Sequence, residues 1–127
     1  IACFDLGNGN LIWSRDISSA AGVAVDSRYL YVSDDKGAVH ALDKASGASL
    51  WKQDKLFLRR LTAPQPLRNM VAVGDVKGVV HFLSRDDGSF VARLNTDGSP
   101  IRAPLQRLGS SLLAQTSKGS VLAIDAQ

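Results

Sequence analysis

Cysteine and aromatic residues are scarce in this chain of 127 residues, which has one cysteine and 6% aromatic side chains. The single cysteine, Cys3, excludes an intramolecular disulfide, and we expect it to be a packed thiol inside a strand. No apolar run approaches the roughly 20 residues of a membrane-spanning helix. The net charge is +3, with lysine and arginine scattered along the chain, which does not indicate a nucleic-acid-binding surface.

Helical periodicity is also missing, because apolar residues nowhere recur at three- and four-residue spacing over a useful length. The apolar residues instead form short runs that end at glycine-containing turns, as β-strands do. Several runs are apolar on both faces, which is typical of sheets that are covered on both sides. The sequence therefore predicts an all-β fold of stacked sheets.

A short pattern that recurs every 41 residues is the strongest feature present. Gly37, Gly78 and Gly119 each follow a lysine, and each precedes an apolar run: AVHAL, VVHFL and SVLAI. A fourth copy of the run, IACFD, opens the chain at 1–5. Glycine supplies the positive φ that a three-residue hairpin loop needs. Strand-like repeats with a period of about 40 are typical of β-propeller blades.

The copy at 62–95 shows the repeat unit as four short strands in an antiparallel meander, which is one blade. The chain then divides into two outer strands of one blade, two complete blades and three strands of a final blade: residues 1–17, 18–54, 55–95 and 96–127. We expect the first strand of the final blade at 100–105. Propellers generally close with about four to eight blades. The chain is therefore predicted to be part of a larger propeller, or a piece that self-associates to cover its ends.

A second pattern, Asp-x-x-x-Gly-x-x-x-Trp, occurs twice at an offset of 38 residues. Its members are Asp5, Gly9 and Trp13, then Asp43, Gly47 and Trp51. We expect the aspartate to accept backbone N–H bonds across the turn and the glycine to close it in the left-handed conformation. The tryptophan would lie flat against the neighbouring blade. A third copy keeps Gly88 but has Ser84 and Ala92 in place of aspartate and tryptophan.

With a small residue, Ala41 or Cys3, two positions before the aspartate, this pattern resembles the Ala-x-Asp…Gly-x-x-x-Trp tryptophan-docking motif of the PQQ-like, quinoprotein-type eight-bladed propellers. Within them, the chain resembles the BamB family of outer membrane protein assembly factors. The stretches that carry the resemblance are 42–64, 71–93 and 112–125. The resemblance covers nearly the whole chain and implies about three blades from the C-terminal part of an eight-bladed propeller.

The resemblance implies a non-catalytic scaffold subunit of the outer-membrane β-barrel assembly (BAM) complex, with no cofactor, nucleic acid or small-molecule substrate. Its partner would be the barrel subunit BamA, bound at its periplasmic domains through inter-blade loops, and nascent outer-membrane proteins are a further partner left open. The location would be the periplasmic face of the outer membrane of a Gram-negative bacterium. The membrane attachment would be a lipoprotein anchor at an N-terminus outside this chain.

Two alternatives within the same superfamily are a fragment of a PQQ-dependent dehydrogenase and another sensor or adaptor propeller. Such enzymes are expected to hold calcium with an acidic cluster, and many carry adjacent cysteines. This chain has one cysteine, and its paired aspartates, 34–35 and 86–87, are expected to be solvated carboxylates at hairpins. The sequence therefore predicts no catalytic, cofactor-binding or metal-binding residue.

His40 and His81 recur at the period of 41 and suggest a metal site. Metal–nitrogen distances are about 2.0–2.1 Å, whereas equivalent positions in neighbouring sheets lie about 10 Å apart. The two histidines therefore cannot share an ion, and we expect them to be packed or hydrogen-bonded between blades.

The linker KLFLRRL at 55–61 is the strongest candidate for partner contact, because it mixes apolar side chains with arginine as binding surfaces do. The candidate contact residues are Leu56, Leu58, Arg59 and Arg60. The alternative is that its leucines fill the gap between blades while its arginines lie at the rim. The corresponding segment at 96–104 lacks the apolar cluster.

Overall fold

The computed structural model describes residues 1–19, 21–56 and 59–125. All regular structure in these ranges is β, so they contain no helix of the length and apolarity needed to cross a membrane. The strands are β1 Ala2–Phe4, β2 Leu11–Ser14, β3 Val23–Val25, β4 Tyr29–Ser33, β5 Val39–Asp43, β6 Ser49–Gln53, β7 Gln65–Pro66, β8 Met70–Gly74, β9 Val79–Ser84, β10 Phe90–Asn95, β11 Gln106–Leu108, β12 Ser111–Gln115 and β13 Val121–Asp125.

The strands form four sheets in which every neighbour in space is also a neighbour in sequence. The first sheet is β1-β2, the second β3-β4-β5-β6, the third β7-β8-β9-β10 and the fourth β11-β12-β13. All pairings are antiparallel, so each sheet is a meander. The predicted all-β fold of four-stranded blades is confirmed.

The three Lys-Gly hairpins occupy matching places, between the second and third strands of successive sheets. Gly37, Gly78 and Gly119 have φ values of 90°, 79° and 98°, in the region that favours glycine. In each loop the glycine N–H donates to the carbonyl of the residue three positions earlier. The period of 41 in the sequence is therefore the period of the sheets.

The strand predicted at 100–105 is wrong, because the first strand of the fourth sheet is Gln106–Leu108. Residues 100–105 connect two sheets instead, and prolines 100 and 104 have no N–H to give to a ladder. The Pro100 carbonyl accepts from Ser117 N–H, and Ile101 N–H donates to the carbonyl of Asp75 in the third sheet. The segment thus ties neighbouring sheets together rather than extending one of them.

The core consists of two apolar clusters between successive sheets. One lies between the second and third sheets, and its members include Tyr31, Val39, Trp51, Val73 and Leu83. The other lies between the third and fourth sheets, and its members include Ala72, Phe82, Ile101 and Leu112. Full burial of a side chain such as Val or Leu contributes about 1.5–3 kcal/mol, so stacking is the main source of stability.

Burial along the strands follows the stacking of the sheets. The third sheet has a neighbour on both faces, and five of the six residues of β9 are buried. Strand β13, in the last sheet, alternates between exposed and half-buried positions, and so does β1 in the first. Cys3, in β1 opposite Trp13, is half-buried. Apolar strands covered on two faces are thus the reason that the central runs lack period-two alternation.

Candidate protein-interaction surface

Two tryptophans join successive sheets at their outer strands. The Trp13 indole Nε1–H donates to the Lys44 carbonyl at 3.0 Å, and the ring lies 2.5 Å from where a Cβ on Gly47 would stand. Trp51 repeats the contact one sheet later, donating to the Arg85 carbonyl at 2.8 Å and lying against Gly88. Each indole therefore covers the last turn of the following sheet.

The aspartates of the same motif order those turns by accepting N–H groups. Asp5 Oδ1 accepts from Gly7 N–H at 2.7 Å. Asp43 Oδ1 accepts from the N–H groups of Ser46 at 3.0 Å and Ala45 at 2.9 Å, and these bonds lower the pKa of Asp43. In the third sheet the Ser84 hydroxyl accepts from Asp86 N–H at 3.3 Å in place of a carboxylate. The motif thus forms a turn against which the tryptophan of the preceding sheet packs.

A polar tie at the same end of the second and third sheets was not predicted from the sequence. Arg85 Nε donates to Asp26 Oδ2 at 2.9 Å, and the Tyr31 hydroxyl donates to the same oxygen at 2.8 Å. The guanidinium carbon lies 4.8 Å from the ring centre of Tyr29. Burial opposes the ionisation of Asp26, but these bonds and those from Arg28 and Tyr29 N–H hold its pKa at about 2.

The linker at 55–61 is part of the connection between the second and third sheets. Leu56 and Leu61 are 3% and 8% exposed and belong to the core cluster between these sheets. Leu58, which the sequence named as a contact residue, lies outside the described residues, as does 57. The described leucines therefore fill the gap between blades, and Leu56 offers little surface to a partner.

The two arginines of the linker differ in their surroundings. Arg59 Nη1 donates to Asp75 Oδ2 at 2.9 Å, its carbonyl accepts from Val76 N–H at 3.0 Å, and its side chain is 29% exposed. Arg60 is exposed and has a positive φ of 52°, a conformation that costs a side-chain-bearing residue about 1–2 kcal/mol. The linker thus presents Arg60 from a backbone that Arg59 anchors.

The two histidines repeat one arrangement in successive sheets. His40 Nε2 lies 2.7 Å from Asp34 Oδ2, and His81 Nε2 lies 2.7 Å from Asp75 Oδ2. No group of three or more His, Cys, Asp or Glu side chains suited to a metal ion occurs in the part of the chain that the structure describes. The expectation that Asp34 is a solvated hairpin carboxylate is wrong, since its side chain is 13% exposed and faces His40.

Asp75 is the more deeply buried member of the pair of aspartates, with no exposed side-chain surface. Its Oδ1 accepts from the N–H groups of Lys77 at 2.9 Å and Val79 at 3.0 Å. Burial alone would raise the pKa of Asp75, but hydrogen bonds from His81, Val79, Arg59 and Lys77 outweigh it and set the pKa at about 2. A fully ionised carboxylate therefore holds the hairpin, the histidine and the linker arginine together.

A groove of about 410 Å³ opens beside this cluster, between the linker and the outer strand β10. Its lining residues are Lys55, Leu56, Arg59, His81, Phe90, Val91, Ala92 and Arg93. The equivalent groove one sheet earlier measures about 340 Å³ and is lined by Asp16, Ile17, Ser18, Asp34, Asp35, Lys36, His40 and Lys52. The two grooves share their position and differ in charge.

Sequence reasoning found the linker and the repeated histidines but missed the groove, the Arg85 tie and the role of Asp75. A signal for Asp75 was present, since aspartate precedes the Lys-Gly hairpin by two or three residues at positions 34 and 75, six residues before each histidine. No local signal pairs Arg85 with Asp26, because the two lie 59 residues apart.

The whole chain, residues 1–127, matches the family model described as outer membrane protein assembly factor BamB. Among individual proteins, the outer membrane protein assembly factor BamB of Burkholderia pseudomallei is 46% identical over 95% of this chain and 32% of its own length. The BamB of Bordetella pertussis is 45% identical over 99% of this chain and 33% of its own length. The chain therefore spans about a third of the length of these relatives.

Among solved structures, BamB from Moraxella catarrhalis matches with a TM-score of 0.88 at 31% identity, over 96% of this chain and 36% of that one. A quinohemoprotein alcohol dehydrogenase from Comamonas testosteroni matches with a TM-score of 0.68 at 19% identity, over 89% of this chain and 20% of that one. At that identity the second likeness is one of fold alone. The likeness to BamB combines fold and sequence.

Proposed function

The chain belongs to the family of outer membrane protein assembly factor BamB, and on this premise we propose that it forms about three blades of a non-catalytic scaffold in the BAM complex. The scaffold binds the periplasmic domains of the barrel subunit BamA through segments that join its blades. It acts by holding these segments in a fixed array, which lowers the ordering cost of association. In this way it assists the folding and insertion of outer-membrane proteins.

The proposal places the scaffold at the periplasmic face of the outer membrane of a Gram-negative bacterium, held there by a lipid anchor in another part of the protein. It involves no cofactor and no small-molecule substrate. Nascent outer-membrane proteins are a second class of partner, met while they are still extended. The match of all 127 residues to the BamB family is the observation that carries the proposal.

The linker supports a contact role through Arg60. Its side chain is exposed, and its backbone is held at positive φ between Arg59, which is bonded to Asp75, and Leu61, which is buried in the core. Strained backbone of this kind is found at binding sites, where the surrounding structure holds it in place. Arginine on a rigid support is also a frequent anchor of protein interfaces.

Charge reversal at Arg60 tests the linker as the contact segment. In the full-length protein, we expect Arg60→Glu to weaken binding to the isolated periplasmic domains of BamA by about tenfold or more, measured by isothermal titration calorimetry. The matched control is Arg102→Glu, an exposed arginine in the corresponding connection between the third and fourth sheets. We expect this control to change affinity less than about twofold, as is usual for a charge outside the interface.

The possible outcomes test the scaffold function and the role of the linker separately. Equal effects of the two substitutions would assign the result to overall charge and remove Arg60 from the interface. Failure of the unaltered protein to bind the BamA domains at all would overturn the proposed function itself. Circular dichroism of each variant checks that the β-structure is retained.

A further inference from the structure

The groove beside β10 combines three features. It is a recess rather than a flat patch, it carries unneutralised positive charge, and one of its lining side chains has a buried polar atom with no hydrogen-bond partner among the described residues. The neighbouring groove lies at the equivalent place one sheet earlier and provides an internal comparison.

The charge of the groove comes from Lys55 and Arg93. Both residues are exposed, whereas the third cation, Arg59, is already paired with Asp75. In the neighbouring groove the position of Arg93 is taken by Lys52, but three aspartates line that groove as well. Only the groove beside β10 therefore has an excess of positive charge among these lining residues, and it attracts an anionic group.

The unpartnered atom is Nδ1 of His81. The His81 side chain is 1% exposed, lines the groove, and has its Nε2 bonded to Asp75. Among the described residues its Nδ1 has no hydrogen-bond partner. An ionised carboxylate only accepts, so Nε2 carries a proton, and in a ring with this one proton Nδ1 is an acceptor. A ligand that satisfies this atom must bring an N–H or O–H donor.

Apolar surface lies next to these polar groups. Phe90 and Val91, on β10, are 42% and 54% exposed, and both line the groove. Strand β10 is also an edge of its sheet, with β9 as its one neighbour among the described strands, so its outer backbone groups face away from the ladder. Extended peptides bind to surfaces that offer such an edge together with side-chain pockets.

We propose that the groove between the linker and β10 binds a short acidic segment of an extended polypeptide, in which a carboxylate side chain is followed by an apolar one. The carboxylates pair with Lys55 and Arg93, the apolar side chain packs on Phe90 and Val91, and a peptide N–H donates to Nδ1 of His81. The inference rests on the proposed function, because it describes the kind of polypeptide that the scaffold takes at this site. An anionic lipid or free phosphate also matches the cations, but neither offers an extended backbone to the edge of β10.

A defined peptide tests the proposal in the full-length protein. The probe is a fluorescein-labelled peptide Gly-Asp-Phe-Glu-Leu-Gly with blocked ends, and its control carries Asn and Gln in place of Asp and Glu. We expect the acidic peptide to bind about tenfold more tightly than the amide peptide, by fluorescence anisotropy at low salt. Lys55→Ala and Arg93→Ala are each expected to weaken binding of the acidic peptide by about two- to fivefold.

Two controls use the neighbouring groove. Lys52→Ala removes the same charge at the position equivalent to Arg93, and we expect it to leave peptide affinity unchanged. With nitrogen-15-labelled histidine, the Nδ1 resonance of His81 shifts on addition of the acidic peptide, while that of His40 stays in place. A His81 resonance that does not move while the peptide binds would overturn the assigned role of Nδ1.

The remaining outcomes decide between this proposal and its rivals. Equal affinity for the acidic and amide peptides, or equal losses for Arg93→Ala and Lys52→Ala, would overturn it. The proposal would also be overturned if the protein bound phosphatidylglycerol vesicles in a way that depends on Arg93 but did not bind the peptide. Binding to the BamA domains is measured on the same samples. A protein that binds BamA but not the peptide would overturn the groove proposal alone. A protein that binds the peptide but not BamA would overturn the BamA partnership alone.

Discussion

The indole ring of Trp51 lies so close to Gly88 of the next sheet that a Cβ on Gly88 would overlap the ring atoms. The indole makes a second contact with the same turn, because its Nε1–H donates to the carbonyl of Arg85. The glycine therefore has two roles, a positive φ of 74° and the absence of a side chain. The sheets are joined here by shape as well as by apolar burial.

Replacement of that glycine separates the two roles. We expect Gly88→Ala to lower the free energy of unfolding by about 2–4 kcal/mol, because it adds overpacking against Trp51 to the cost of a left-handed alanine. Gly98→Ala is the matched control, with φ of 84° and, apart from its chain neighbours, no atom of the described residues within 4 Å of its Cβ position. It is expected to cost only about 1–2 kcal/mol. Urea denaturation that finds equal losses for the two variants would contradict the packing role.

The buried carboxylate of Asp75 gives a second prediction. Asp75→Asn leaves Arg59 and His81 without an anionic partner, and we expect a loss of about 3–5 kcal/mol in the free energy of unfolding. Asp34→Asn makes the same change one repeat earlier, where the carboxylate bonds His40 and, within the described ranges, no arginine. Its expected cost is about 1–2 kcal/mol, that of a hydrogen-bonded group at a partly exposed site. Chemical denaturation of both variants measures the difference, and a larger loss for Asp34→Asn would reverse the ranking.

The pH dependence of stability follows from the same group. The pKa of Asp75 is about 2 in the folded protein and about 4 in the unfolded chain. Its contribution is therefore fully present above about pH 4 and is lost as the pH falls towards 2, because the unfolded chain binds the proton first. We expect the unaltered protein to lose about 2 kcal/mol more than Asp75→Asn over this range. Parallel stability–pH curves for the two proteins would refute the assignment.

The tie between Arg85 and Asp26 predicts an energetic coupling across 59 residues of sequence. Arg85→Lys keeps the charge but loses the Nε–H that reaches Asp26 and the planar contact with Tyr29. In a double-mutant cycle with Asp26→Asn, we expect a coupling of about 1–2 kcal/mol. A cycle of Asp26→Asn with Arg102→Lys, in another connection, serves as the control and should show additive losses. Additivity in both cycles would mean that the tie contributes no stability.

The positive φ of Arg60 predicts a gain of stability from glycine. We expect Arg60→Gly to raise the free energy of unfolding by up to about 1 kcal/mol, because glycine adopts this conformation without strain. Arg60→Ala keeps the Cβ and hence the strain, so its stability should match that of the unaltered protein. Both variants lack the guanidinium group, and the proposed contact of Arg60 with BamA predicts that they weaken BamA binding equally. Melting temperatures and titrations of the pair together distinguish backbone strain from side-chain contact.

The sheets and their hairpins could be predicted because their signals are local. A three-residue loop with glycine at positive φ is recognisable within a few residues, as at Gly78, and its recurrence every 41 residues predicts one sheet per period. The prediction failed at 100–105, where the apolar pattern resembles a strand but the backbone bonds join different sheets. Such bonds depend on where the previous sheet ends, which no short window of sequence contains.

The linker shows the same limit for function. Its mixture of leucine and arginine indicated a binding segment, and the sequence offered no means to tell which side chains face outward. In the structure Leu56 is buried in the core and Arg60 lies on the surface. Arg59 is partly exposed and pairs with Asp75. The acidic partner of Arg59 is 16 residues away in the sequence, so which of these side chains is buried or exposed depends on how two sheets pack.

The amino-acid sequence alone determined the class of fold and its repeat, because turn chemistry and the spacing of apolar runs are properties of short segments, and its resemblance to known sequences indicated the family. The stacked arrangement decided everything that involves two sheets: which indole covers which glycine, which arginine is neutralised, and where a basic recess opens beside β10. The physical reason is that burial and charge pairing depend on distances between residues far apart in the chain, and these exist only once the sheets have packed.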